Sequence, residues 1–319
     1  MISKSGTLAE ILQARERIAG IAIRTPLVRL NAPDTPAEIW LKLENLQPIG
    51  SFKIRGAANA MAQMTPELLA SGVLTASAGN MAQGVAWCAR ERGIACTVIA
   101  PASAPRAKTD AVERLGGRVI RVPFERWWKT FQDRAYPGVD GVFIHAFDDP
   151  QVIAGNGTIG LEILEDLCDV DAIVIPWGGG GLACGIATAV RALRPACRLY
   201  ASEVATAAPL APSLTAGSPQ EVLYHASFVD GIGSRSVFPD MFERARTLLD
   251  GSLVASVMEI AAALTLLAER NRVVAEGAGA CPVATALAGR AGRGKIVCIV
   301  SGGNIDLSKF CEILSGAIP

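Results

Sequence analysis

A chain of 319 residues is too long for one small core and suits two domains or one large α/β unit. Thirty basic and thirty acidic residues cancel to a formal charge of zero, so no basic field exists to hold nucleic acid. Half of the residues are hydrophobic, as a sheet buried on both faces requires. The longest apolar segment, 253–268, carries Glu259, is too short to span a bilayer and reads as a buried helix. With no apolar leader and no low-complexity tail, the expectation is a soluble, cytoplasmic protein without membrane partners.

In chain order, the first predicted helix starts at Thr7, with Glu10 as its capping-box partner, and stops before Gly20. Residues 26–30 and 38–43 read as strands, and a helical pattern runs from Ser51 through Ala57, Ala60 and Met61. Strand and helix then alternate. Strands are predicted at 72–76, 96–100, 118–122 and 142–144, with helices over about 82–91 and 105–115 and a segment around Trp127 and Trp128. A second series places strands at 172–176, 198–202, 272–275 and 295–300, with helices near 158–167, 181–193, 255–271, 278–288 and 305–314. Such alternation predicts parallel sheets wound by right-handed crossovers, in two α/β lobes, with the ligand beyond the strand C-termini. The eight cysteines form no Cys-x-x-Cys pair and only two histidines are present, which argues for reduced core thiols and against a zinc site.

Five junctions between elements carry chemistry. Gly178, Gly179, Gly180 and Gly181 follow the apolar run 172–177 and open a helix; such a loop either cradles a phosphate on backbone N–H groups or makes a tight turn. Lys53, one of seven lysines, sits beside Phe52 at a loop-to-helix junction. It is either a surface lysine or an amine of lowered pKa able to act as nucleophile or base. Ser77 and Asn80 flank Gly79 at a third junction, as N-cap oxygens or as part of an anion seat. Ser301 ends the last apolar run, and Glu276 stands between an apolar run and a small-residue turn.

Taken together, residues 43–57, Ser77–Asn80, 145–150 with 157–163, the tetraglycine, 275–279 and 301–304 resemble the serine/threonine dehydratase family in order along nearly the whole chain. The resemblance implies a pyridoxal 5'-phosphate enzyme of the tryptophan-synthase-β-like fold, fold type II. That fold has two open, twisted, mostly parallel sheets flanked by helices, with the cofactor between the lobes. It also implies a large domain over 1–66 and 146–319, a small mobile domain over 67–145, and a homodimer. By the same resemblance, Lys53 would carry the cofactor as a Schiff base and remove the Cα proton. Phe52 would pack on the ring, Asn80 would bind its 3-hydroxyl, and Gly178 to Gly181 with Leu182 would hold the phosphate. Ser301 would sit at the ring nitrogen, Gly231 and Glu276 would line the ring, and Ser77, Asn80 and Met81 would hold the substrate carboxylate. A serine at the ring nitrogen does not force its protonation, and the weaker electron sink suits β-elimination better than transamination.

The implied reaction converts a β-hydroxy-α-amino acid to a 2-oxo acid and ammonia. Serine and threonine are the default substrates; Met81, where the family carries histidine, and an unusual 203–240 region also admit a bulkier phenylserine-like one. A racemase or a β-replacement enzyme on the same cofactor is the first alternative, and Ala78 argues against the racemase because it supplies no second acid. A nucleotide-binding oxidoreductase is the other, without a clear Gly-x-Gly-x-x-Gly fingerprint to support it. The family's cation site would involve Glu203 and Ala207, but Pro209 stands where an aspartate ligand is expected, so no metal is assigned.

Overall fold

The computed structural model describes residues 6–104 and 106–319; the stretch 1–5 and the predicted helix start at residue 105 lie outside the described residues. Helix α1 (Leu8–Ile18) opens the chain with its Thr7–Glu10 capping box formed in both directions. Strands β1 (Leu27–Arg29) and β2 (Glu38–Leu43) lead through a 3₁₀ turn, Glu44–Leu46, into helix α2 (Lys53–Ala62) and the short helix α3 (Pro66–Leu69). The first alternating series is β3 (Val73–Ala76), α4 (Asn80–Glu91), β4 (Cys96–Pro101), α5 (Arg106–Arg114), β5 (Arg118–Val122), α6 (Phe124–Asp133) and β6 (Val142–Phe143). The second begins with α7 (Pro150–Asp166), β7 (Ala172–Pro176), α8 (Gly181–Leu193), β8 (Arg198–Val204), α9 (Leu210–Ala216) and α10 (Pro239–Leu248). It closes with β9 (Gly251–Ala255), α11 (Val257–Leu266), α12 (Gly277–Leu287), β10 (Lys295–Val300) and α13 (Leu307–Leu314).

Helices α3, α9 and α10 lie where the sequence predicts no element, and three further stretches differ from expectation, each for a local reason. The apolar stretch 253–268 is not one helix, because Ser256 and Glu259 form a capping box that ends β9 and starts α11. Residues 272–275 are not a strand: Arg272 turns left-handed at φ 57° to stop the preceding π turn, Leu267–Asn271, and β9 takes the sheet position instead. Helix α7 starts eight residues earlier than expected, since Asp149 accepts the Gln151 and Val152 N–H groups and Pro150 occupies the first helical position.

Two sheets result. The larger runs in the order β1-β2-β10-β7-β8-β9, parallel except for the antiparallel β1–β2 pair; the smaller runs β5-β4-β3-β6 and is wholly parallel. Both faces of the larger sheet are buried, so its central strands β7 and β10 are apolar at every position after Lys295, which opens β10. Val174, Ile296 and Cys298 join the apolar cluster on one face, and Ile173, Ile175, Val297 and Ile299 the cluster on the other. In each sheet the winding reverses once, between β7 and β10 in the larger and between β3 and β6 in the smaller. The loops leaving those four strands meet in one crevice, where open α/β sheets bind ligands.

Candidate active site

The loop after β7 is the tetraglycine. Gly180 adopts φ +89°, and a Cβ there would stand 2.5 Å from the buried Trp177 ring, so both conformation and space demand glycine. A Cβ on Gly179 would run into the Phe147 ring, and one on Gly181 would stand 2.7 Å from the Phe147 carbonyl oxygen. No side chain caps α8, which leaves the N–H groups of its first turn facing the crevice. The loop after β10 contributes Ser301, buried at the strand end, whose carbonyl accepts the Phe52 N–H at 3.0 Å.

The loop after β3 departs from expectation in one respect. Neither Ser77 nor Asn80 caps α4: Gly79 is the N-cap, and Ser77 Oγ accepts the Gly79 N–H at 3.2 Å. Asn80 instead spans the crevice. Its Nδ2 donates to Glu276 Oε1 at 2.7 Å, and its Oδ1 accepts from Asn304 Nδ2 at 2.7 Å. Met81 is buried in the apolar cluster with Ile49, Ile54 and Val85, so its side chain is core.

The loop after β6 supplies the contact for the central amine. Lys53 Nζ donates to the Ala146 carbonyl at 2.6 Å and lies 5.1 Å from the centre of the Phe52 ring. Burial lowers the Lys53 pKa to about 8, against the opposing pull of Glu276. Burial, with Asp230 nearby, lifts Glu276 to about 7. A Cβ on Gly302 would stand 2.6 Å from Glu276 Oε1 and push the carboxyl aside, and one on Gly231 would meet the same oxygen at 3.4 Å.

These groups enclose a cavity of about 240 Å³ lined by Phe52, Lys53, Ser77, Asn80, Met81, Gly178 to Gly181, Leu182, Gly231, Glu276 and Ser301. A second cavity of about 320 Å³ shares Gly79, Asn80, Asp230, Gly231 and Glu276 with it and opens between the lobes. Lys108 of α5 reaches Asp230 at 2.5 Å across that opening.

Residues 18–302 match the family of pyridoxal-phosphate-dependent enzymes. The chain belongs to that family. It is 39% identical over 315 residues to the L-threonine ammonia-lyase of Thermotoga maritima, covering 97% of this chain and 78% of that one. With the L-threonine ammonia-lyase of Geobacter sulfurreducens it shares 41% identity over 95% of this chain and 77% of that one. The structure of maize serine racemase superposes with a TM-score of 0.88 at 31% identity, covering 98% of both chains. The chain is thus a pyridoxal-phosphate-dependent lyase of the serine/threonine dehydratase family, with the mostly parallel two-sheet fold expected of it.

The residues present fit the cofactor. A cradle that Cβ atoms would fill stands opposite a lysine amine, within one cavity bounded by Phe52 and Ser301. The implied cation does not fit. Glu203 Oε1 already accepts the Leu210 N–H at 2.8 Å, and its Oε2 takes the Ala211 N–H at 2.9 Å and Ser252 Oγ at 2.6 Å. Pro209 and Ala207 offer no side-chain ligand, and among the described residues no cluster of three His, Cys, Asp or Glu could hold a metal.

Sequence reasoning missed four participants. Asp230 acts on Glu276 and Asn304 on Asn80, and pairs so far apart in the chain leave no local sequence signal. His145 and Phe147 lie within the 145–150 stretch, yet only the folded turn gives them a purpose.

Proposed function

We propose that this lyase dehydrates serine or threonine, releasing a 2-oxo acid and ammonia, with Lys53 as the base. The observation that carries the reading is the Lys53 amine. It is half-buried, held below its ordinary pKa and aimed by the Ala146 carbonyl within the glycine-walled cavity. Gly178 to Gly181 and Leu182 would hold the cofactor phosphate, Asn80 its 3-hydroxyl and Ser301 its ring nitrogen, with Phe52, Gly231 and Glu276 flanking the ring. When bound, pyridoxal phosphate supplies the electron sink that makes a proton on the substrate Cα removable. Lys53, as neutral amine, takes that proton, and expulsion of the β-hydroxyl relieves the resulting charge. Ser77, Asn80 and the N–H groups at the uncapped start of α4 hold the substrate carboxylate. Ser301 offers a neutral hydroxyl, which stabilises charge weakly and so favours rapid loss of the leaving group.

The threonine lyases named above support serine or threonine as substrate. A phenylserine-like substrate draws no such support, because those relatives are threonine lyases and the Met81 side chain is buried with Ile49, Ile54 and Val85. Ala78 carries no acid for the opposite face, which weighs against a racemase despite the maize likeness. The same reading includes a homodimer, a small domain over 67–145 and a cytoplasmic location; no helix among the described residues is long and apolar enough to cross a membrane. The test is a screen of L-serine and L-threonine for ammonia and 2-oxo acid. Conversion to the D-enantiomer without oxo acid would replace this reading with the racemase.

A further inference from the structure

We propose that His145 is a positioning residue: its imidazole folds the turn after β6 that aims the Lys53 amine and braces the glycine loop. This rests on the reading of Lys53 as the reacting amine. His145 Nδ1 accepts the Asp148 N–H at 2.8 Å and the Phe147 N–H at 3.4 Å. Two donors converging on Nδ1 require its lone pair, so the ring is neutral and carries its proton on Nε2. A side-chain acceptor two and three residues ahead of its donors closes a tight turn, as asparagine does in Asx turns.

That turn has two products. Its carbonyl at Ala146 takes an N–H from Lys53 at 2.6 Å, so the lone pair of the neutral amine points away from the turn. Its Phe147 ring and carbonyl stand where side chains on Gly179 and Gly181 would otherwise be, which fixes the width of the cradle. The imidazole is itself clamped: it is 3% exposed, with the Phe131 ring centre at 4.4 Å and that of Phe147 at 4.8 Å, edge-on. Burial, with Arg134 and Lys53 as neighbouring cations, holds its pKa down to about 3. A histidine that stays neutral at working pH exchanges no proton, so its contribution is geometric.

The test compares His145→Leu, which fills the volume without an acceptor, with His145→Asn, whose amide oxygen can accept the same N–H groups. Both are assayed as cofactor-loaded enzyme for kcat and KM, and as apo protein for cofactor affinity and thermal midpoint. We expect His145→Leu to lower kcat by about 10- to 100-fold with KM changed less than about threefold, the cost of a misaimed reacting group. Its affinity for pyridoxal phosphate should fall as well, while His145→Asn recovers most of both. Parental kcat and cofactor affinity in the leucine variant would overturn the proposal. So would equal loss in both variants at unchanged thermal midpoint. If the leucine variant does not fold, a folded asparagine variant that has lost kcat overturns it and one that keeps kcat supports it. A Lys53→Ala control separates the two layers: turnover in that variant defeats the reading of Lys53, whereas an inert Lys53→Ala beside an intact His145→Leu defeats the positioning alone.

Discussion

Two cations stand two residues apart on α2, and the fold treats them in opposite ways. Arg55 is buried and fully compensated. It forks onto Glu44 at 2.8 and 2.8 Å and onto Glu162 at 2.7 and 2.9 Å, and donates to Thr158 Oγ1 at 3.0 Å and to the Ile23 carbonyl at 3.1 Å. Lys42 completes the cluster, reaching Glu162 and the Thr25 carbonyl at 2.6 Å each, so two cations meet two carboxylates. Burial alone would lower the Arg55 pKa, but Glu44 and Glu162 hold it above its ordinary value. Lys53 is given one carbonyl and no touching carboxylate, and burial brings its pKa down to about 8. One helix thus keeps a permanent charge for structure and, for chemistry, an amine that can give up its proton near pH 8. Compensation by carboxylates separates the two.

Four experiments break or sharpen that contrast. The largest effect is expected from Lys53→Ala: turnover falls by about 10⁴-fold, the upper range for a lost general base, while the apo thermal midpoint does not drop. Arg55→Met should do the reverse to folding. It leaves Glu44 and Glu162 buried with Lys42 as their remaining cation and costs about 3–5 kcal/mol in denaturant unfolding, the penalty of an uncompensated buried charge. If Lys53→Ala unfolds the protein and Arg55→Met does not, the assignment is inverted.

The third follows the proton on Lys53. Its amine has a folded pKa of about 8 against an ordinary 10.5, so between those values the unfolded chain binds the proton that the folded one has released. Lys53 therefore adds to stability as pH rises across that window, and that contribution is lost as pH falls through 8. The rate at which apo protein captures pyridoxal phosphate, a reaction of the neutral amine, should rise with a midpoint near 8; a midpoint near 10.5 would mean a solvated lysine. The smallest effect is expected from chelation. Because Glu203 is satisfied by Leu210, Ala211 and Ser252, removing divalent cations should leave the thermal midpoint and turnover unchanged, whereas a fall restored by magnesium would expose a cation site.

The contrast also marks what the sequence could carry. The scarcity of lysine and the glycine cradle were legible because each is a local departure from ordinary composition, and the central strands because both of their faces are apolar. The Arg55 cluster was not, since Glu162 lies 107 residues away and only folding brings it near. Strand β9 was hidden inside an apolar run, although the Ser256–Glu259 spacing that divides the run is a readable cap. Asn80 misled for a different reason: its residue type suits an N-cap, but a crevice partner, Glu276, outbid the helix end for its side chain.

In the proposed reaction the amine at position 53 is the group that joins the cofactor. The most direct measurement is borohydride reduction of the protein loaded with pyridoxal phosphate, followed by peptide mapping. A single phosphopyridoxyl label on Lys53, absent from Lys53→Ala, is expected; a label on another lysine, or none on Lys53 in fully loaded protein, would contradict that role.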